Sequence, residues 1–206
     1  MVGIAQEVAP GRFRESYGRY YEEFEVGHVY EHRPGRTITE TDNIWFTLLT
    51  MNTHPLHFDN AYAAKSEFGK PLVNSCLTLA IVTGMSVSDI SQKAIGNLGW
   101  NDVKLTSPVF VGDTIYAESE VLSKRESQKR PTQGIVTVRT TGKKADGTVF
   151  MTFERTILAE ENRFDAVLNE GFPKLEAELT SAMGVHGHVL PGEKAFRLYD
   201  TFGLPL

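Results

Sequence analysis

The densest group of reactive side chains in the 206 residues is Asn52-Thr53-His54-Pro55-Leu56-His57-Phe58-Asp59. Two imidazoles three residues apart can move protons near neutral pH, because histidine titrates there. A proton-moving group beside an apolar groove is what the addition of water to a double bond requires. Pro55 stiffens the loop and helps to fix His57. The other reading of the same residues is structural: His54 and His57 as loop histidines, Asn52 as a helix stop. A metal would need a third or fourth ligand. Asp59 could supply one, but no His-Glu-x-x-His pattern is present, so no metal is expected. Gly-x-Ser-x-Gly, phosphate-loop and dinucleotide signatures are also missing.

A second candidate lies at Asn74-Ser75, ahead of the long apolar run Val73–Val87. A helix starting there would aim its first free N–H groups outward and favour negative charge. An oxygen gaining charge during a reaction could rest on them, as in an oxyanion hole. The plain alternative is that Asn74 or Ser75 is the helix N-cap. Both can hold, since capping and anion binding use the same geometry. Cys76, within the apolar run, reads as a buried and inert thiol.

The elements around these residues follow from periodicity. Thr39–Met51 reads as a helix, with Thr39 and Asp42 spaced as a capping box and Trp45, Leu48 and Leu49 on one apolar face flanked by Phe46. Pro55 ends it, because the residue before proline resists the α region. Asp59 caps a short second helix running to Lys65. Val73–Val87 is apolar nearly all round and predicts a helix in the middle of the protein. Leu98–Leu105, Thr114–Lys124, Gly134–Gly142 and Thr148–Ala159 read as strands, with Asp146-Gly147 as a hairpin turn. A short strand is expected around Val29–His32, closed by a turn at Pro34-Gly35. Met1–Tyr21 reads as an arm. The fold class is therefore α+β, a buried helix against an antiparallel sheet. Residues 1–160 form this domain, and 161–206 a C-terminal extension that is first helical (Phe164, Val167, Leu168, Phe172, Leu175, Leu179) and then loop-like.

Composition narrows the function classes. The chain has 21 basic and 26 acidic residues, for a net charge of −5, and a pI near 5.7. Nucleic-acid binding is not expected. Lys124, Arg125, Lys129 and Arg130 read as a solvated hairpin loop, with a small phosphate-bearing ligand as second choice. No apolar run is long enough to span a membrane. One cysteine excludes an internal disulfide framework. With no secretory leader, the expected location is the cytoplasm.

The motif His54-Pro55-Leu56-His57-Phe58-Asp59, with Ala61, Ala63, Ala64 and Phe68-Gly69-Lys70-Pro71-Leu72-Val73-Asn74-Ser75, resembles the hydratase motif of MaoC-like hot-dog enzymes. Asn97-Leu98-Gly99-Trp100, Pro108-Val109-Phe110-Val111-Gly112-Asp113-Thr114 and Thr140-Thr141-Gly142 extend the likeness to the mesaconyl- and itaconyl-CoA hydratase subgroup. The resemblance covers about residues 20–160. It implies a hot-dog fold, in which a long helix is wrapped by the sheet. It also implies a lyase acting on α,β-unsaturated acyl-CoA, with CoA as part of the substrate and no separate cofactor. By the same resemblance His57 is the general acid/base, Asn52 stands where the family has an aspartate, and Ser75 stands at the oxyanion glycine. At least a homodimer is implied. A non-catalytic acyl-CoA-binding protein is the alternative that Asn52 keeps open, and a thioesterase is a third. Glu161–Phe164, with Leu168, Gly171 and Leu175, and Leu190–Pro205 resemble an internal piece of alanyl-tRNA synthetase outside its ATP-binding motifs, which implies no aminoacylation.

Overall fold

A computed structural model describes residues 4–130 and 132–162. The helix expected from Phe164 and the loop expected after Gly184 lie outside the described residues. The unit Met1–Glu160 carries every element that follows.

The expected N-terminal arm contains a hairpin. Strands β1 (Ile4–Ala9) and β2 (Arg12–Ser16) pair antiparallel around Gly11, whose φ of +70° suits glycine. Strand β3 (Val29–Thr37) continues through Pro34-Gly35, where a turn was expected. Its register against the next strand shifts between His32 and Arg36, and such a bulge absorbs residues that cannot join the ladder. Gly35 is required there, since a Cβ would fall 2.3 Å from the Tyr116 ring.

Helix α1 (Glu40–Leu49) and the short α2 (Asn60–Ala63) follow, then α3 (Ser75–Met85) and a wider helical turn at Val87–Ser91. Strands β4 (Ala94–Leu105), β5 (Thr114–Glu126), β6 (Gln133–Lys144) and β7 (Val149–Glu160) complete one antiparallel sheet of order β3-β5-β6-β7-β4. Gly147, at φ +88°, closes the β6–β7 turn.

The period-2 pattern aims Ile115, Ala117, Ser119 and Val121 inward, opposite Val138 and Thr140 of β6. Leu77, Ile81 and Val82 of α3 are buried in one cluster with Ile115, Phe150 and Phe153. Each such side chain contributes roughly 1.5–3 kcal/mol when fully buried. This helix on an antiparallel sheet is the expected α+β, hot-dog arrangement.

Two expectations about helix faces fail. Helix α1 turns Asn43 and Thr47 inward and leaves Trp45, Leu48 and Leu49 exposed, the last at 75%. Helix α3 is covered on one side only: Cys76 is exposed, and Ala80 and Gly84 lie on the same open side. Within one chain the sheet can cover only the side of α3 that rests on it.

The core also holds a polar chain. His32 Nδ1 meets Asp89 Oδ2 at 2.8 Å, His32 Nε2 meets Ser119 Oγ at 2.8 Å, and Ser119 Oγ meets Thr140 Oγ1 at 2.8 Å. Among the described residues no helix is long and apolar enough to cross a membrane.

Candidate active site

The capping box of α1 is formed: Thr39 Oγ1 accepts from the Asp42 N–H, and Asp42 Oδ2 accepts from the Thr39 N–H. The helix ends in a Schellman arrangement. The Asn52 N–H donates to the Thr47 carbonyl at 3.0 Å and the Met51 N–H to that of Leu48 at 3.1 Å, with Met51 at φ +58°. This places Asn52 just past the helix end. Its Oδ1 then accepts the His54 N–H at 3.0 Å, a local turn of the kind asparagine favours.

The next residues use their polar groups to build the loop. His54 Nδ1 accepts the Leu56 N–H at 3.1 Å. Pro55–His57 makes one tight turn. Asp59 Oδ1 caps α2 through the Tyr62 N–H. Asp59 is thus a helix cap, and among the described residues no cluster of three or more His, Cys, Asp or Glu could hold a metal.

His57 is oriented from outside its loop. Its Nδ1 lies 2.8 Å from the carbonyl oxygen of Leu72. A carbonyl only accepts, so Nδ1 carries the proton and Nε2 keeps a lone pair. His54 has the opposite arrangement, because its Nδ1 accepts from an N–H; in the neutral ring its Nε2 carries the proton. The two rings are 6.0 Å apart. One imidazole is set up to take a proton and its neighbour to donate one.

Asn43 ties this loop to the start of α3. It is 1% exposed, so every polar atom it carries needs a partner. Its Nδ2 donates to the carbonyl oxygens of His57 (2.8 Å) and Leu72 (3.1 Å), and its Oδ1 accepts the Asn74 N–H (2.8 Å). Leu72 is further held by a backbone bridge to Phe110. Asn74 is the N-cap of α3: its Oδ1 accepts the Cys76 N–H at 2.9 Å, and its Nδ2 donates to Thr47 Oγ1 at 3.3 Å. The Asn74 side chain is thus buried and occupied within the fold. Ser75 is exposed at the first position of α3, where a backbone N–H has no partner inside its helix.

Two of the candidate residues, His57 and Ser75, each line a hollow, and Asn74 lines neither. His57 lines one of about 210 Å³, with Asn43, Ile44, Phe58, Lys70 and Val111. Ser75 lines another of about 270 Å³, with Phe68, Thr78, Pro108 and Phe150. Leu72 lines the second hollow, and its carbonyl holds the histidine of the first. Neither hollow is lined by Asn52. The sequence reading missed Asn43, Thr47 and the Leu72 carbonyl. The available signal was a polar pair four residues apart on the face of α1 opposite its apolar stripe.

Comparison with known proteins bears on this geometry. The family described as MaoC like domain matches residues 23–144. The mesaconyl-CoA hydratase of Cereibacter sphaeroides is 27% identical over 183 residues, covering 89% of this chain and 52% of that one. The beta-methylmalyl-CoA dehydratase of Chloroflexus aurantiacus is 33% identical over 125 residues, covering 61% of this chain and 35% of that one. The chain thus spans about half or less of these curated relatives. A Mycobacterium tuberculosis protein solved as a double hot-dog fold superposes with a TM-score of 0.65 at 22% identity, over 70% of this chain and 44% of its own. A stretch of 52 residues is 48% identical to the alanine–tRNA ligase of Geobacillus thermodenitrificans, which is 25% of this chain but 6% of that enzyme.

Proposed function

The chain belongs to the MaoC-like domain family, and from that membership we propose that it is a hydratase or dehydratase of α,β-unsaturated acyl-CoA thioesters. The observation that carries the reading is the bond from His57 Nδ1 to the Leu72 carbonyl, which leaves Nε2 basic at a cavity wall. In the hydration direction His57 Nε2 takes a proton from water as its oxygen bonds to the β-carbon. The electron pair of the double bond moves toward the thioester carbonyl, and the α-carbon then receives the proton from His57 Nε2, which restores the neutral imidazole. The enolate oxygen rests at the start of α3, where the Ser75 N–H and the helix dipole favour negative charge. Asn52, an amide, cannot be a base; its side-chain oxygen holds the His54 N–H and shapes the loop that presents His57, while Asn74 fixes the helix start.

The acyl group is short and branched or dicarboxylic, as in mesaconyl-CoA or itaconyl-CoA. Support for this comes from the relatives named for mesaconyl-CoA and beta-methylmalyl-CoA. CoA belongs to the substrate and no further cofactor is needed. The working form is a homodimer or larger homo-oligomer in the cytoplasm, and the completed site spans two copies.

The deciding experiment follows the enoyl-thioester absorbance with mesaconyl-, itaconyl- and crotonyl-CoA, with free-thiol release measured in parallel. Loss of absorbance without thiol release is expected. Thiol release would make it a thioesterase. Binding with neither change would favour a non-catalytic acyl-CoA-binding protein, the reading that Asn52 in place of an aspartate supports.

A further inference from the structure

The His57 cavity carries one cation. Lys70 lies between Gly69, in the left-handed region at φ +66°, and Pro71. Pro71, whose ring fixes φ, separates Lys70 from the Leu72 carbonyl that orients His57. The Lys70 ammonium lies 4.4 Å from the centroid of the Phe110 ring, a contact that restrains the side chain. A second lysine, Lys144, also approaches Phe110, at 5.7 Å, but its charge is met by Asp113 at 2.8 Å. Lys70 forms no ion pair among the described residues. Glu40 borders the same cavity without pairing with it.

Lys70 is exposed and borders the cavity that His57 also lines, so its unpaired charge offers an incoming anion a partner there. Building on the hydratase reading above, we infer that Lys70 reads the second carboxylate of a dicarboxylic acyl thioester whose double bond is presented to His57. The substrate class follows: an enoyl thioester with a carboxylate at the far end of a short acyl chain. The other source of the same chemistry is a phosphate of CoA, which every acyl-CoA carries.

The test compares mesaconyl-CoA with tiglyl-CoA, which has a methyl group where mesaconyl-CoA has its free carboxylate. Equilibrium binding and kcat/KM are measured for the wild-type chain, Lys70→Met and Lys70→Arg. A charge-assisted hydrogen bond contributes about 1.5–3 kcal/mol, so Lys70→Met should reduce the preference for mesaconyl-CoA by about tenfold or more. Lys70→Arg should restore most of it. Equal losses on both thioesters would assign Lys70 to the CoA phosphates and overturn the proposal, as would no change on either. If the wild-type chain turns over neither compound, nor itaconyl- or crotonyl-CoA, the hydratase reading fails, while the binding comparison still decides the role of Lys70.

Discussion

His57 donates its Nδ1 proton to the carbonyl oxygen of Leu72 at 2.8 Å, joining a loop histidine to a backbone group that the hydratase-like motif places fifteen residues later. The bond makes Nε2 the only basic atom of that ring. If Nε2 takes up and returns the proton in turnover, His57→Ala lowers kcat by about 100-fold or more, the usual scale of general acid–base catalysis. The half-buried ring lies outside the apolar cluster of Leu77, Ile81, Val82, Ile115, Phe150 and Phe153, so thermal unfolding should move little. A purified His57→Ala variant with near-wild-type turnover removes His57 from the mechanism.

Asn43 positions both residues of that bond. Asn43→Ala leaves the Asn74 N–H and the His57 carbonyl oxygen without their partner, at about 1–3 kcal/mol for each group left buried and unsatisfied, while the Leu72 carbonyl keeps its bond from His57 Nδ1. Asn43→Asp can still accept from Asn74 but cannot donate to His57 or Leu72. Both variants should lose kcat more than they raise KM, and both should melt below the wild type, since Asn43→Asp sets a buried carboxylate against two carbonyl oxygens. Wild-type kcat in Asn43→Asp would show that the two donated bonds do not matter to turnover.

Asn52 accepts the His54 N–H through its side-chain oxygen, a bond that aspartate can also make. Asn52→Asp should therefore fold normally and keep activity, with a shifted preference among the three enoyl thioesters. Complete loss of turnover in a folded Asn52→Asp protein would show that the amide N–H₂ itself is required.

Asp89 and His32 give the stability a defined pH dependence. Burial opposes charge on Asp89, but the bond and charge of His32, with Arg19 beside it, outweigh burial and hold the carboxyl below its ordinary value. A carboxylate depressed in the folded state stabilises fully above its unfolded pKa of about 4 and loses that contribution as pH falls through the folded value. The stability difference between wild type and Asp89→Asn, read by thermal melts, should thus be largest near neutrality and shrink below about pH 4. A gap of constant size from pH 7 to pH 3 would contradict this account.

Strand β4 is a sheet edge that exposes Ile95, Leu98, Trp100, Val103 and Leu105 along its length. Edges of this kind are paired or covered in stable proteins. Light scattering should give at least twice the 23.0 kDa chain mass, and Val103→Lys should shift the population toward monomer. A fully active wild-type monomer would refute an active site completed between copies.

Much of the fold was readable from local pattern. The alternation of Ile115, Ala117, Ser119 and Val121, the Asp146-Gly147 turn, the Thr39–Asp42 capping box and the Asp59 cap all act over a few residues, where the chain's own chemistry decides. A helix start at Asn74-Ser75 was readable for the same reason. Periodicity also separated the two faces of α1, but it could not say which face the rest of the protein would cover. The apolar stripe of Trp45, Leu48 and Leu49 pointed the wrong way. Asn43 faces inward because its partners, His57, Leu72 and Asn74, lie 14, 29 and 31 residues away. A buried amide is tolerated only when such distant backbone groups converge on it. The tertiary structure alone decided that convergence, and with it which nitrogen of His57 is free to take a proton.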